Sequence, residues 1–432
     1  MRNIILLLCI FCISTSSVSM AAEDEDAAIL GLEECIDIVL GTDPELAAAR
    51  ADMESKEAAL ASADKDLFPT LSAQYSYAHQ PDELFSPADI FSYGVIAEQP
   101  LYRGGSLVTA IKQAQLAQET SRLAVERIIN DRVFGVYGRY YELLRALKLE
   151  EEARQSVLRL QSHSKDAKAF YEAGLIPKND MLQSEVELAQ GEQNLVDAEK
   201  VSFLAKSRLN VLMQRPVDSL LNVEDRTDDE IKQIDWEEVI ASAKKNRAEI
   251  SQADKAVQIA ENDIILKKAP YLPSVTLSAS YDRRGDGLGA SPDPDIPSEA
   301  KTVKAVATWK LWTWLKDRDE VLAARKNLQK TKKSVDVTIN DVTLEARDSY
   351  LTLEQAAKRI KVAEKAIEHA RENYRINQAQ YQAQLTTSTD VLDAQTLLTQ
   401  AMTNYYDALY GYQLALAAID KSKGLFGQHY TK

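Results

Sequence analysis

From Thr70 to Tyr77 polar and apolar residues alternate without a break. Leu71, Ala73, Tyr75 and Tyr77 fall on one side, Thr70, Ser72, Gln74 and Ser76 on the other. Ser274 to Tyr281 repeats the pattern, with Val275, Leu277, Ala279 and Tyr281 opposite Ser274, Thr276, Ser278 and Ser280. Two more alternating runs follow: Phe91, Tyr93, Val95 and Ala97, then Val303, Ala305, Ala307, Trp309 and Leu311. A period of two predicts strands with one apolar and one polar face. Segments of about ten residues with aromatic ends suit an outer-membrane barrel wall, in which Tyr75, Tyr77, Tyr281, Trp309, Trp312 and Trp314 would face lipid or form an interfacial girdle. A soluble sheet packed on helices would show the same alternation, which by itself leaves the two open. Pro81 to Asp89 and Arg284 to Ala300, between the strands, read as long polar loops.

The rest of the chain is patterned for helices. Ile360, Ala363, Ile367, Ala370 and Tyr374 recur at alternating three and four. Val391, Leu398, Met402, Tyr405, Leu409, Tyr412, Leu416 and Ile419 hold the same beat, with Gln395 as a polar position. Such seams pack as coiled coils. Gly105 to about Tyr171 contains no proline, and a continuous helix of that length would reach roughly 100 Å. A conduit needs that reach; a globular core does not.

The pattern also repeats. Glu33-Glu34-Cys35-Ile36 matches Glu237-Glu238-Val239-Ile240, Phe68-Pro69-Thr70 matches Leu272-Pro273-Ser274, and Tyr171-Glu172-Ala173-Gly174-Leu175 matches Tyr381-Gln382-Ala383-Gln384-Leu385. Asp180-Met181-Leu182 then meets Asp390-Val391-Leu392. Each half reads helix, strand, loop, strand, long helix, tip, helix. The expected division is a first repeat over 22–216 with a strand hairpin at 69–100, and a polar linker at 217–235. A second repeat follows over 236–423 with a hairpin at 273–311, and then a C-terminal tail at 424–432.

Residues 1–21 read as a cleavable secretory signal: Arg2, an apolar run from Ile4 to Ile13, then the small-x-small site Ser19-Met20-Ala21. The run is shorter than the roughly 20 residues a spanning helix needs; a buried helix or strand is the other reading. Cys9 and Cys12 fall inside this segment without a lipid-attachment pattern, leaving Cys35 with no internal partner. No later stretch reads as a transmembrane helix, so a membrane-spanning role would fall to strands. The net charge of −15 is mixed along the chain and argues against nucleic acid as a partner. His79, His163, His369 and His429 show no metal-ligand spacing, and no Gly-rich phosphate loop occurs. No cofactor is expected, nor an enzyme.

Four strands cannot close a barrel, since the smallest bacterial ones have about eight, but three copies would pool about twelve. At this point the duplicated halves, the two strand hairpins and the segment from Tyr381 through Asp390 and Asp393 to Ala394 resemble the TolC family of outer-membrane efflux proteins. The resemblance implies a mainly α fold with membrane β. Long coiled-coil hairpins would build a periplasmic tunnel, and the strands would join a trimeric 12-stranded β-barrel in the outer membrane of a Gram-negative cell. It implies a channel-tunnel for efflux or type I secretion, the passive exit duct of a tripartite system. The implied partners are a homotrimer, outer-membrane lipid, a periplasmic adaptor and an inner-membrane pump or ABC exporter. Asp390 and Asp393 match acidic residues that line the periplasmic entrance in that family. They lie three apart on one helix face, and six carboxylates around a three-fold axis would favour cations. Helix capping by Thr389 and Asp390 is the other reading, and both can hold. Tyr381 and Asp180 match residues that latch the closed entrance. Thr386 stands where a relative has a basic latch residue and Gln384 where a tip glycine is usual, which weakens the latch. The rival architecture is a soluble periplasmic coiled-coil adaptor, which would carry one hairpin where this chain carries two.

Overall fold

The computed structural model describes residues 29–79, 89–226, 231–285, 288–290 and 299–430. The signal segment and most of both inter-strand loops lie outside them.

The two halves use elements of nearly equal length. Helices α1 (Leu32–Thr42) and α2 (Pro44–Lys65) precede strands β2 (Thr70–His79) and β3 (Asp89–Arg103) and helices α3 (Ser106–Glu172) and α4 (Lys178–Leu212). The second half follows with α5 (Trp236–Asn246), α6 (Ala248–Lys268), β5 (Ser274–Gly285), β6 (Glu299–Thr308), α7 (Lys316–Gln382) and α8 (Ser388–Ser422). Both long helices have 67 residues, about 100 Å each, and both shorter partners have 35. Corresponding residues stand 204 apart before the inter-strand loop (Thr70, Ser274) and 210 apart after it (Ser106, Lys316).

The duplication extends to single hydrogen bonds. Thr70 Oγ1 donates to Glu98 O at 3.4 Å and Ser274 Oγ to Thr308 O at 3.4 Å. Gln99 Nε2 donates to Leu67 O, and its counterpart Trp309 Nε1 to Tyr271 O. The turn from strand into long helix needs two successive left-handed residues in both halves. These are Gly104 and Gly105 in the first, Trp314 and Leu315 in the second. That conformation crowds a Cβ by about 1–2 kcal/mol per residue, so the second turn is strained where the first is not.

The helix expected before each strand pair is two helices. Pro44 at the first position of α2 lacks the N–H that would continue α1, and Asp43 caps α2 by accepting from Leu46 N at 2.8 Å. Asp43 is buried and pairs with Arg132; the equivalent Arg247 is buried and pairs with Glu249 and Glu345, the same joint with charges reversed. Within 217–235, β4 (Asn222–Val223) pairs in parallel with β1 (Ile29–Leu30). In the tail, α9 (Leu425–Tyr430) docks on α3, Phe426 stacking on Tyr137 at 5.3 Å. Gly427 sits where a Cβ would come within 2.7 Å of Glu126 O.

Helices α3 and α7 run the whole length. The α2 and α6 helices flank their upper parts, and α4 and α8 their lower parts. The main core lies at the middle of the bundle around Cys35, Ile36, Val39, Ile129, Val133, Val136, Leu143, Leu209 and Met213. Burial, helped by Glu34, pushes the Cys35 thiol up to about 11, so it stays an inert apolar side chain. The heptad positions foreseen on α7 and α8 face this and the neighbouring clusters: Ile360, Ala363, Tyr374, Val391, Leu398, Leu409, Tyr412 and Ile419 are buried, as is Gln395.

Candidate functional site

The four long strands form one antiparallel sheet in the order β2-β3-β5-β6, leaving β2 and β6 as edges. The register aligns apolar residues across one face, with the charged Lys301 closing one row on β6. One row runs Leu71, Ala97, Ala279, Val303 and the next Ala73, Val95, Tyr281, Lys301. The other face carries Ser72, Ser76, Ser92, Ser274, Thr276, Ser280 and Thr302. Leu71 and Val303 are each 76 % exposed, and among the described residues no helix covers the apolar face.

The apolar band is staggered. Leu71, the first apolar residue of β2, shares its row with Val303, near the far end of the band on β6. From Leu71–Tyr77 to Val303–Ala307 the band shifts by about five residues over three strand steps, a slope of roughly 45–50° at about 3.3 Å per residue and 4.8 Å per strand. Strands in an outer-membrane barrel are tilted by about that much, which brings such a band level with the bilayer. A soluble sheet lying on helices has no need of the stagger. No described helix is long and apolar enough to cross a membrane.

Tyr75 and Tyr77 are exposed and Tyr281 half-buried between Val95 and Lys301. Trp309 and Trp312 are also exposed, but they stand beyond the strand. The alternation extends the return strand to Leu311, whereas β6 ends at Thr308.

At the opposite end of the molecule the two helical hairpins turn alike. Gly174 and Gln384 are left-handed, and Leu175 N and Leu385 N reach back to Phe170 O and Gln380 O. Gln384 carries the Cβ strain that Gly174 avoids. Gln384→Gly should therefore stabilise the second tip by up to about 1 kcal/mol, and Gly174→Gln should weaken the first by about 1–2 kcal/mol. Hydrogen exchange of the tip amides measures both.

Helix α8 is capped by Thr387, two residues before the Thr389 that the sequence suggested, with Asp390 as the other half of the capping box. Asp390 N donates to Thr387 Oγ1, and Asp390 Oδ2 accepts from Thr387 N at 3.0 Å and from the Thr386 and Thr387 hydroxyls at 2.6 Å. These bonds hold the Asp390 carboxyl down at about 2. Asp393 is exposed one turn on and makes no hydrogen bond or ion pair among the described residues. Asp390, Asp393, Leu397, Gln400, Asn404 and Asp407 share one exposed stripe, while Val391, Ala394 and Leu398 turn inward.

Of the latch candidates, Thr386 is engaged with Asp390 in its own tip. Tyr381 is buried against His163 and Phe170, with ring centroids at 4.8 and 5.4 Å. Burial, and then the Asp180 carboxylate, raise its phenol pKa, so Asp180 lies close without a bond between the two. The residue that sequence reasoning passed over is His163. It interrupts an otherwise apolar seam, Leu160, Ala167 and Phe170, and its Nε2 lies 2.8 Å from Ser388 Oγ. One level up, Arg159 bridges Glu152 and Gln395, whose Nε2 reaches Ser156.

Burial lowers the His163 pKa, with Asp166 on its own helix opposing; Tyr381 of α7 and Ser388 of α8 face it. A histidine depressed in the folded state binds fewer protons than the unfolded chain. Its contribution is complete above about pH 6.5 and is lost as the pH falls through the lowered value. Acidification from pH 7 to 5 should therefore speed amide exchange at the α3–α8 contact, and His163→Gln should remove that part of the pH dependence.

A model of the outer membrane efflux protein family matches residues 35–213 and 239–425, one block in each repeat. The chain is 21% identical over 393 residues to outer membrane protein TolC of Vibrio cholerae, covering 89% of each. Its fold is shared with CusC, at a TM-score of 0.82 with 15% identity over 92% of both chains. It is shared also with the outer membrane protein VceC of Vibrio cholerae, at 0.79 with 18% identity over 91% of this chain and 96% of that one. Two matched blocks on two repeats, each with a lipid-type strand pair and a long helical hairpin, leave one assignment: the chain belongs to the outer membrane efflux protein family and is a protein of the outer membrane.

Proposed function

We propose that three copies form a channel-tunnel, the passive exit duct of a tripartite efflux or secretion system. A periplasmic adaptor and an inner-membrane pump or ABC exporter would complete it. The observation that carries this reading is an open sheet with two bare edges and an uncovered, staggered apolar face, set on helices about 100 Å long. Bare edges are not viable in lipid. β2 and β6 run antiparallel to one another, so the edges of successive copies can pair and close a barrel of twelve. The helical flanks point the same way. Val337, Leu344 and Leu351 on α7 and Val186, Val196 and Phe203 on α4 are exposed apolar residues on the outer sides of one chain's bundle. They are the surfaces a neighbouring copy would cover.

In this reading the tips of α3–α4 and α7–α8 close the periplasmic entrance. Asp390 and Asp393 ring the pore, while Tyr381, Asp180 and Thr386 hold the closed state. The repeats 22–216 and 236–423 each give half of one protomer's wall, joined through 217–235 and braced by 424–432. Cross-linking in native membranes should stop at three copies, and planar bilayers should show discrete conductance. A chain that leaves the membrane as a monomer without detergent would support the soluble adaptor instead.

A further inference from the structure

Strand β3 outruns its hairpin partner. β2 pairs with it only as far as Thr70 opposite Glu98. Beyond that, Gln99, Pro100, Tyr102 and Arg103 pair with Leu277, Thr276, Val275 and Ser274 of β5, with a shift at Leu101. The counterparts of those four residues in the second half are Trp309, Lys310, Trp312 and Thr313, the ones left outside β6. The counterparts of their β5 partners are Ala73, Ser72, Leu71 and Thr70 of β2, on the far edge of the same sheet. Among the described residues no strand lies on that side of β6, and the counterpart strand β2 is the opposite edge of the sheet, open to a second copy.

We propose that the neighbouring copy lays its β2 along β6 and Trp309–Thr313 in the register of β3 on β5. Ala307 then lies opposite Tyr75 and Trp309 opposite Ala73. This joint is wider at its base than the equivalent joint within the chain. The proposal rests on the trimer reading and deepens it. The register keeps apolar opposite apolar, since Ala307, Trp309, Tyr75 and Ala73 all belong to the face assigned to lipid, so no side chain changes sides.

The widening follows from the turn beneath. At Gly104 a Cβ would lie 2.3 Å from Ala269 O, a distance no real Cβ shows. In the second half that place is taken by Trp314, in the same left-handed conformation, and the counterpart of Ala269 is Lys65 of the neighbouring copy. Six identical joints around the ring are therefore excluded. To bring the Trp314 Cβ to ordinary contact the seam must open by about 1 Å relative to the joint at Gly104. The indole, 86 % exposed in one chain, then stands in that gap. Three tight glycine joints alternate with three tryptophan-filled ones.

Cysteine pairs in a Cys35→Val background test the register, valine being the residue at the equivalent position 239. Directly opposite positions in an antiparallel pair have Cα atoms about 4.5–5.5 Å apart, within disulfide range. Tyr75→Cys with Ala307→Cys should give covalent trimers on oxidation in membranes. Tyr77→Cys with Ala307→Cys, slipped by two residues, should give at least tenfold less. The reverse ranking, or no bond in either pair while lysine cross-linking still gives trimers, overturns the register and leaves the trimer standing. Absence of any trimer overturns the reading beneath it. For the unequal joints, Gly104→Trp should abolish folded trimer, and assembly like the parent would show both joints equally open. Trp314→Gly should keep the Tyr75–Ala307 register bond but lower the temperature at which trimers dissociate in detergent. An unchanged temperature would remove the indole from the seam.

Discussion

A channel carrying Asp390→Asn with Asp393→Asn is expected to lose most of its preference for cations. Both side chains lie on the exposed stripe of α8 within its first two turns from the tip. Three copies would set six carboxylates around a narrow opening, where their field is strongest. The preference should strengthen as salt is lowered, because the screening length grows from about 10 Å at 0.1 M to about 30 Å at 0.01 M. Its pH dependence is set by two opposed effects. Like charges across the ring push the Asp390 carboxyl pKa up, while the bonds from Thr386 and Thr387 hold it down, at about 2 in the single chain. Since those bonds favour the charged form, the Asp390 part of the selectivity should fade at lower pH than it would without them. Thr386→Val, which removes one donor, should move that fading to higher pH. Reversal potentials under a salt gradient measure all of this. Thr387→Ala provides the control: it loosens the cap by about 1 kcal/mol but leaves both charges. An unchanged reversal potential in the double variant would reduce the two aspartates to capping and surface roles.

Ala305→Arg should prevent most of the protein from reaching a folded trimer, and Val306→Arg, one residue along, should not. Ala305 lies in the middle of the apolar band on β6, in the row of Leu277. Near the bilayer midplane an arginine on the lipid face costs about 2–4 kcal/mol. That cost recurs in each of three chains, so the equilibrium for assembly falls by several powers of ten. Val306 points to the opposite face, with Thr302 and Lys304, and there the same side chain meets water. Heat-modifiable migration on gels reads the trimer yield directly. Equal yields would reverse the face assignment.

Much of the architecture was legible because this chain meets two solvents. A strand with lipid on one side and water on the other must alternate strictly, and Leu71 to Tyr77 does so. The coiled-coil seams were legible for a related reason: Ile360, Ala363 and Tyr374 are buried only because one face of a long helix meets a partner. What escaped depended on contacts distant in sequence. Thr386, Thr387, Ser388 and Thr389 are all good caps, and only the backward turn at Gln384 selects Thr387. Nothing local announces that His163 meets Ser388, 225 residues away. The end of β6 differs from the pattern, since the alternation runs on through Trp309 and Leu311 while, among the described residues, the pairing with β5 stops at Thr308 opposite Ser274.

The upper end of α8 is moored. Asn130 donates to Lys421 O, Lys423 pairs with Glu238, and Gly424 fits against the backbone of Asn246. The helix below is therefore a lever about 50 Å long from Ser422 to Asp390. A swing of about 10° at the mooring would carry the tip through roughly 8 Å without breaking a helical hydrogen bond, a movement large enough to open the entrance proposed above. Leverage also ranks the contacts. Arg145 and Asp407 sit roughly 22 Å from the pivot and Gln395 with Arg159 about 40 Å. A given force applied at the tip therefore exerts about twice the torque that it would at Asp407. If the tips close the entrance as proposed, contacts near Tyr381 and Thr386 would act there on the longest arm, and a partner gripping only the last turn would open it with the least force.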